Sequence, residues 1–241
     1  GADDSYLRAQ TFCDYIFVLV RTSPEKPKHE GISLMLVDMR QPGVTVSPIQ
    51  LISGASPFCE THFSDAVVPL EDVIGGIDRG WTVGKRLLQF ERSTHAGINI
   101  SGSQGGRSEK SQMPALVARY VSSQAGQLSD PALRRWLTEF EMNSHAQRIT
   151  QRRAIEELSS RAPGFTSSAV KLTNALNIQD GDELLVAAMG SQGLRWDPET
   201  ADADELAALQ KWLYQKSLTI AGGTKEVQLN IIAKRVLGLP D

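Results

Sequence analysis

The feature that most constrains this chain is a change of hydrophobic period near Gly76. Before it, apolar residues come in short runs. Tyr15-Ile16-Phe17-Val18-Leu19-Val20 and Ile32-Ser33-Leu34-Met35-Leu36-Val37 have strand length and strand composition, and are separated by a polar, turn-rich stretch from Pro24 to Gly31. Pro42-Gly43 closes the second run. Val44-Thr45-Val46 follows and is stopped by Pro48. A further strand is expected from Cys59 to Phe63, before Val67-Val68-Pro69. Short strands at these intervals predict an antiparallel barrel or sandwich. After Gly76, Val83, Leu87, Phe90 and Thr94 recur at helical spacings of three and four, as a buried helix face does. Asp130-Pro131 reads as a helix start, with Asp as cap and Pro in the first turn. Leu133, Trp136, Phe140, Ile149, Ile155 and Leu158 continue that helix until Ala162-Pro163-Gly164 breaks it. Further helices are expected over about 167–188, 204–218 and 224–237, with a loop at 190–200. The expected architecture is α+β: a partial antiparallel β-domain over 1–75, then an all-α C-terminal helical bundle over 76–241.

Composition removes several function classes. Hydrophobic residues make up 41% and charged residues 22% of the 241, which argues against disorder. The net charge is -3 and no long basic stretch occurs, so no nucleic-acid partner is expected. The pairs Arg134–Arg135 and Arg152–Arg153 fit solvated helix faces. No apolar run reaches membrane-spanning length, so no membrane partner is expected. Cys13 and Cys59 make no disulfide framework, and His29, His62, His95 and His145 have no metal-ligand spacing. A cytoplasmic location is the expectation. Gly1 to Ser5 leads straight into a strand-like stretch, so the chain is expected to begin inside a domain.

Chemistry concentrates near the C-terminus, in Ile220-Ala221-Gly222-Gly223-Thr224-Lys225-Glu226-Val227-Gln228. Two glycines permit close backbone approach, Thr224 can cap the next helix, and the first-turn amides can donate to a polar ligand edge. Taken alone, this is a helix cap and no cofactor follows from it. The longer stretch from Ala221 to Pro240 resembles the C-terminal signature of acyl-CoA dehydrogenases. Other stretches agree in order. Gly31 to Val46 and Phe58 to Pro69 are similar to that family's β-domain strands. Gly75, Gly80 and Trp81 resemble the entry to its long central helix, and Met189-Gly190-Ser191-Gln192-Gly193 resembles its flavin-contacting glycine loop. The family's N-terminal helical domain and first flavin-binding strands have no counterpart in the chain, which is expected to be N-terminally short and to retain flavin weakly, if at all, by itself.

The resemblance implies FAD-dependent α,β-dehydrogenation of an acyl-CoA thioester, with a carboxylate removing the α-proton. In many members that Glu immediately precedes the Gly-Thr of the terminal signature, where this chain has Gly222. A minority pattern places the base in a Glu-Arg pair on the central helix. Phe90-Glu91-Arg92 matches it, and Glu91 shares a helical face with Gly84, Leu88 and His95, poor in countercharge. Read without the family, Glu91 is a solvated helix residue paired with Arg92 or His95; read with it, Glu91 is the base. The resemblance further implies acyl-CoA contacts at Gln89, Phe90 and Arg92, though Arg92 could equally serve a helix terminus. It implies a thioester carbonyl at the Gly223 amide, and FAD contacts at Ala187, Ala188, Met189, Gly190, Ser191, Thr224, Lys225 and Glu226. The acceptor is expected to be electron-transfer flavoprotein or a similar protein.

One departure bears on partners. The family's Arg-x-x-Phe-Gly-x-Pro motif, which touches the adjacent subunit's flavin, is missing, and Gly105-Gly106-Arg107-Ser108-Glu109-Lys110 leads to Met113-Pro114 without it. This resembles the actinobacterial-type branch acting on bulky acyl-CoAs, including steroid side chains, in which some members are mixed α2β2 assemblies. A homo- or hetero-tetramer is therefore expected. A non-catalytic or FAD-sharing partner subunit is the second reading, and an acyl-CoA oxidase a third.

Overall fold

The computed structural model describes residues 13–56, 58–95, 111–124, 127–160 and 166–240, with the backbone alone for 89–95, 124 and 158–159. The chain divides into two compact units, Gly1–Phe90 and Glu91–Asp241.

The first unit is antiparallel β. Strand β1 (Tyr15–Arg21) pairs along its whole length with β2 (Ile32–Asp38), from Tyr15 opposite Asp38 to Arg21 opposite Ile32. β3 (Val44–Ile49) pairs with β4 (Phe58–Phe63), from Val44 opposite Phe63 to Ile49 opposite Phe58. The two-residue β5 (Val73–Ile74) adds to the far side of β2, giving the order β1-β2-β5. β2, paired on both edges, is the most buried of the three and carries a near-continuous apolar run. Ser33, Leu34 and Val37 are buried. Where the spacing of strands predicts one barrel or sandwich, the described strands of this unit form two small sheets, of three and two strands.

A polar latch joins the β1–β2 loop to the segment that starts the first helix, α1 (Gly80–His95). Asp78 sits at φ 64 and accepts from Thr22 (2.8 Å), Ser23 (2.8 Å) and Lys26 (2.6 Å). Its own amide donates to the buried Ser33 hydroxyl at 2.8 Å. These donors hold the Asp78 carboxyl down at about 2, the Lys26 bond contributing most. Gly80 then packs backbone to backbone on β2: a Cβ there would lie 2.2 Å from the Leu34 nitrogen. The Trp81 ring stacks on His29 at 4.3 Å. These contacts tie the Asp78–Trp81 segment to β2 and to the loop before it.

The second unit is helical. After α2 (Met113–Val117) comes a short β-hairpin, β6 (Ser123–Gln124) with β7 (Gln127–Leu128). Neither α2 nor this hairpin is foreseen in the sequence, since five-residue and two-residue elements are too short to show a period. Helix α3 (Pro131–Ser159) starts as expected, with Asp130 Oδ1 accepting from the amides of Ala132 (2.8 Å) and Leu133 (3.1 Å). It packs along α4 (Thr166–Met189). Phe140, Leu184, Ala188, Val117 and Leu128 form the core, with Trp136 and Leu133 against it. Ile149 and Ile155, which continue the helix as expected, are exposed in this chain. Leu158 has no described side chain. Helix α5 (Ala203–Gln215) ends in a 3-10 turn over Lys216–Thr219, and α6 (Lys225–Ile231) runs into a π turn over Ile232–Val236.

Candidate functional site

Helix α4 is buried on several sides, and its polar residues serve its neighbours. Gln179 Nε2 donates to the carbonyls of Gln215 (3.0 Å) and Lys216 (3.2 Å), which holds the end of α5. Asp182, 6% exposed, pairs with Lys211 at 3.2 Å, and burial pushes its carboxyl up despite that cation. One turn from the start of α4, Lys171 is 4% exposed and shares the buried face of Ser168 and Ala175. Its Nζ donates to the Leu218 carbonyl at 3.3 Å and to that of Gly223. Burial pulls its pKa down.

Those carbonyls flank the turn singled out in the sequence. Gly222 and Gly223 have φ of 68 and 104, a left-handed pair that residues with a Cβ adopt only at a cost. Buried Gln228 reaches back from α6, and its Nε2 donates to the Gly222 carbonyl at 3.1 Å. A Cβ on Gly223 would fall 2.7 Å from that nitrogen. Thr224 caps α6 as expected, its hydroxyl oxygen accepting from the Val227 amide at 3.3 Å. The Gly223 amide closes the turn on the Ile220 carbonyl at 3.2 Å. The amides of Thr224 and Lys225 donate to nothing among the described residues. The Glu226 carboxyl is held below its usual range by its own amide and by Thr224. The result is a helix start with two open donors, braced from inside by two buried side chains. It suits a polar or anionic acceptor.

The second flavin stretch lies elsewhere. Ala187 is exposed at the end of α4, whereas Ala188 and Met189 are buried in the helical core. Gly190 (φ 57) opens the 3-10 turn Gly190–Leu194, with nothing within 4 Å of where its Cβ would be, and Ser191 beside it is exposed. This open glycine corner and the open amides at Thr224 fit the flat or phosphate-bearing parts of a dinucleotide such as FAD. They are not one patch: Lys171 and Met189 are 18 positions apart on α4, about 27 Å along a straight helix at about 1.5 Å per residue.

Gln89, Phe90, Glu91 and Arg92 lie on the last turns of α1, where the backbone is helical and the side chains fall outside the described residues. Gly105 to Lys110 also fall outside them. Lys171 lies outside the motifs read in the sequence, and Gln228 lies within the terminal stretch without a role assigned to it. The available signal for Lys171 is one cation within Ala169-Val170-Lys171-Leu172, on the same helical face as small and apolar neighbours. Among the described residues there is no cluster of three or more potential metal ligands, and no helix is long and apolar enough to cross a membrane.

Comparison with known proteins gives a consistent result. The domain family described as "Acyl-CoA dehydrogenase, C-terminal domain" matches residues 78–237. Acyl-CoA dehydrogenase IpdE1 of Mycobacterium tuberculosis is 34% identical over 227 residues, covering 94% of this chain and 55% of that protein. Acyl-CoA dehydrogenase FadE34 of the same organism is 32% identical, over 92% of this chain and 28% of that protein. Among solved structures, the Tcur3481-Tcur3483 steroid ACAD matches with a TM-score of 0.76 at 27% identity, over 98% of this chain and 59% of that one. The chain thus spans about half the length of IpdE1.

Proposed function

The chain belongs to the acyl-CoA dehydrogenase family, and from that premise we propose that its protein carries out FAD-dependent α,β-dehydrogenation of an acyl-CoA thioester, with Glu91 as the base. The observation that carries this reading is the Gly222-Gly223-Thr224 turn. It is braced from the core and keeps open donors, yet it has a glycine at φ 68 where the family's usual carboxylate stands. A base must then come from another element, and the Glu91–Arg92 pair on α1 matches the family's alternative position.

Each residue has a distinct task in this reading. Glu91 takes the proton from the α-carbon, work that suits a carboxylate shielded from water. The Gly223 amide, which the resemblance assigns to the thioester carbonyl, already donates to the Ile220 carbonyl, so the neighbouring Thr224 amide takes that role here, and a donor aimed at that oxygen acidifies the α-proton by stabilising enolate-like charge. Gln89, Phe90 and Arg92 hold the acyl-CoA. Thr224, Lys225 and Glu226, together with Ala187, Gly190 and Ser191, would hold FAD. When bound, FAD supplies the acceptor for the β-hydride. Buried Ala188 and Met189 support the Gly190 corner from beneath. The distance between the two stretches suits distant portions of an extended dinucleotide, or flavins of neighbouring subunits in a tetramer. The likeness to the Tcur3481-Tcur3483 steroid ACAD supports a bulky acyl group.

The missing Arg-x-x-Phe-Gly-x-Pro motif favours a second reading, a FAD-sharing or non-catalytic subunit of an α2β2 enzyme. Acyl-CoA-dependent dye reduction separates the two. The full-length protein is assayed alone and with a co-encoded homologue, and flavin content is measured in each. Turnover with bound flavin is expected in at least one assembly. Absence of flavin from every assembly contradicts the enzyme reading.

A further inference from the structure

We propose that Lys171 is a positioning residue for the Gly222–Thr224 turn, its buried ammonium holding the Leu218 and Gly223 carbonyls so that the Thr224 amide is presented outward as a fixed donor. The inference rests on the reading of that turn as the place where thioester or flavin is held.

The geometry follows from the peptide bond. The Gly223–Thr224 peptide is trans, so its N–H points opposite to its C=O. Lys171 holds the C=O from the core side, and the N–H is thereby turned away from the core. The Gly222 carbonyl, one peptide earlier, is held by Gln228 at 3.1 Å. Two successive peptides of a glycine pair, the most freely rotating backbone available, are thus fixed by two buried side chains. Thr224 N–H is left without an acceptor among the described residues, the condition of a donor set in place before its ligand arrives. A donor that needs no reorganisation is worth most where charge develops on the acceptor.

A buried lysine is a costly way to hold a turn if holding is all that is required. Burial disfavours its charged form and pulls its pKa down, and the described residues give it two carbonyls and no carboxylate. The cation also polarises the Gly223 carbonyl. Through the shared amide this makes the Thr224 N–H a stronger donor, which an uncharged strut would not do.

The test uses Lys171→Met, Lys171→Gln and Lys171→Arg in the full-length protein, with its partner subunit where one is needed. Amide hydrogen exchange over 219–228 is read without substrate, and kcat and KM by dye reduction. In Lys171→Met, exchange across the turn is expected to rise by about tenfold or more. kcat is expected to fall by about 10- to 100-fold with KM changed less than about threefold. Lys171→Arg, which keeps the charge, should recover part of both. Lys171→Gln carries the same test if the Met variant does not fold. Exchange and kcat both within about twofold of wild type in a folded neutral variant overturn the proposal. So does failure of both neutral variants to fold, which would make Lys171 structural only. If the wild type has no acyl-CoA activity, the dehydrogenase reading fails by itself and the exchange measurement still decides whether the clamp exists.

Discussion

At the residue scale, the informative positions are polar groups that hold backbone in place. Asp78 is the clearest. It ties the loop after β1 to the start of α1 through Lys26, Thr22 and Ser23, and through Ser33 by its amide. Its carboxyl is held at about 2 against an ordinary 3.8. A depressed folded-state pKa stabilises the fold fully above the unfolded value and loses that contribution as pH falls through the folded one. Asp78→Asn is therefore expected to lower thermal stability at neutral pH, with the gap to wild type closing between pH 3.8 and about 2. Thermal melts across that range check this, and a gap unchanged down to pH 2 would contradict it. None of this network is legible in the sequence, because its members lie up to 56 positions apart and only folding brings them together. Thr224 is legible by contrast, since a cap and its helix are adjacent in the chain.

At the scale of elements, the strands and long helices follow from hydrophobic period, and their starts follow from local chemistry at Asp130-Pro131 and Thr224. What the period does not convey is how closely two helices approach. Gly181 sits on α4 where a Cβ would be 2.7 Å from Cε2 of Phe140 and 3.3 Å from Cε of Met113. Phe140 falls in the expected helix and is core, but the glycine that admits its ring carries no signal without the partner helix. Gly181→Ala gains helix propensity and overfills this contact. Overpacking of this kind costs about 1–3 kcal/mol, so net destabilisation of the second unit is expected. Chemical denaturation of the folded protein tests it, and an unchanged or raised midpoint would count against the packing described. The exposure of Ile149 and Ile155 has a related cause. An apolar residue on a helix shows that some surface is to be covered, and not whether the same chain covers it.

At the scale of the molecule, that distinction points outward. Met142 and Ile149 lie seven positions apart on one stripe of α3 and are 67% and 53% exposed. In the tetramer that the acyl-CoA dehydrogenase reading proposes, such a stripe would face a neighbouring subunit. Met142→Lys with Ile149→Lys is expected to shift the full-length protein to smaller assemblies in light scattering; an unchanged mass would remove this stripe from the interface. The fold class and the family are legible in the sequence because the terminal signature is long and continuous. The site is legible only in part. Its turn is a local motif, whereas the lysine beneath it belongs to another helix.

The central claim is that α-proton removal belongs to Glu91 and that Gly222 marks where the carboxylate is not. Anaerobic mixing of the flavin-loaded full-length protein with acyl-CoA, following loss of visible flavin absorbance, measures that step before any acceptor acts. With Glu91→Gln, flavin content and acyl-CoA affinity should stay close to wild type while the reduction rate falls by about 10²- to 10⁴-fold. A Glu91→Gln protein that reduces its flavin at the wild-type rate would contradict the account.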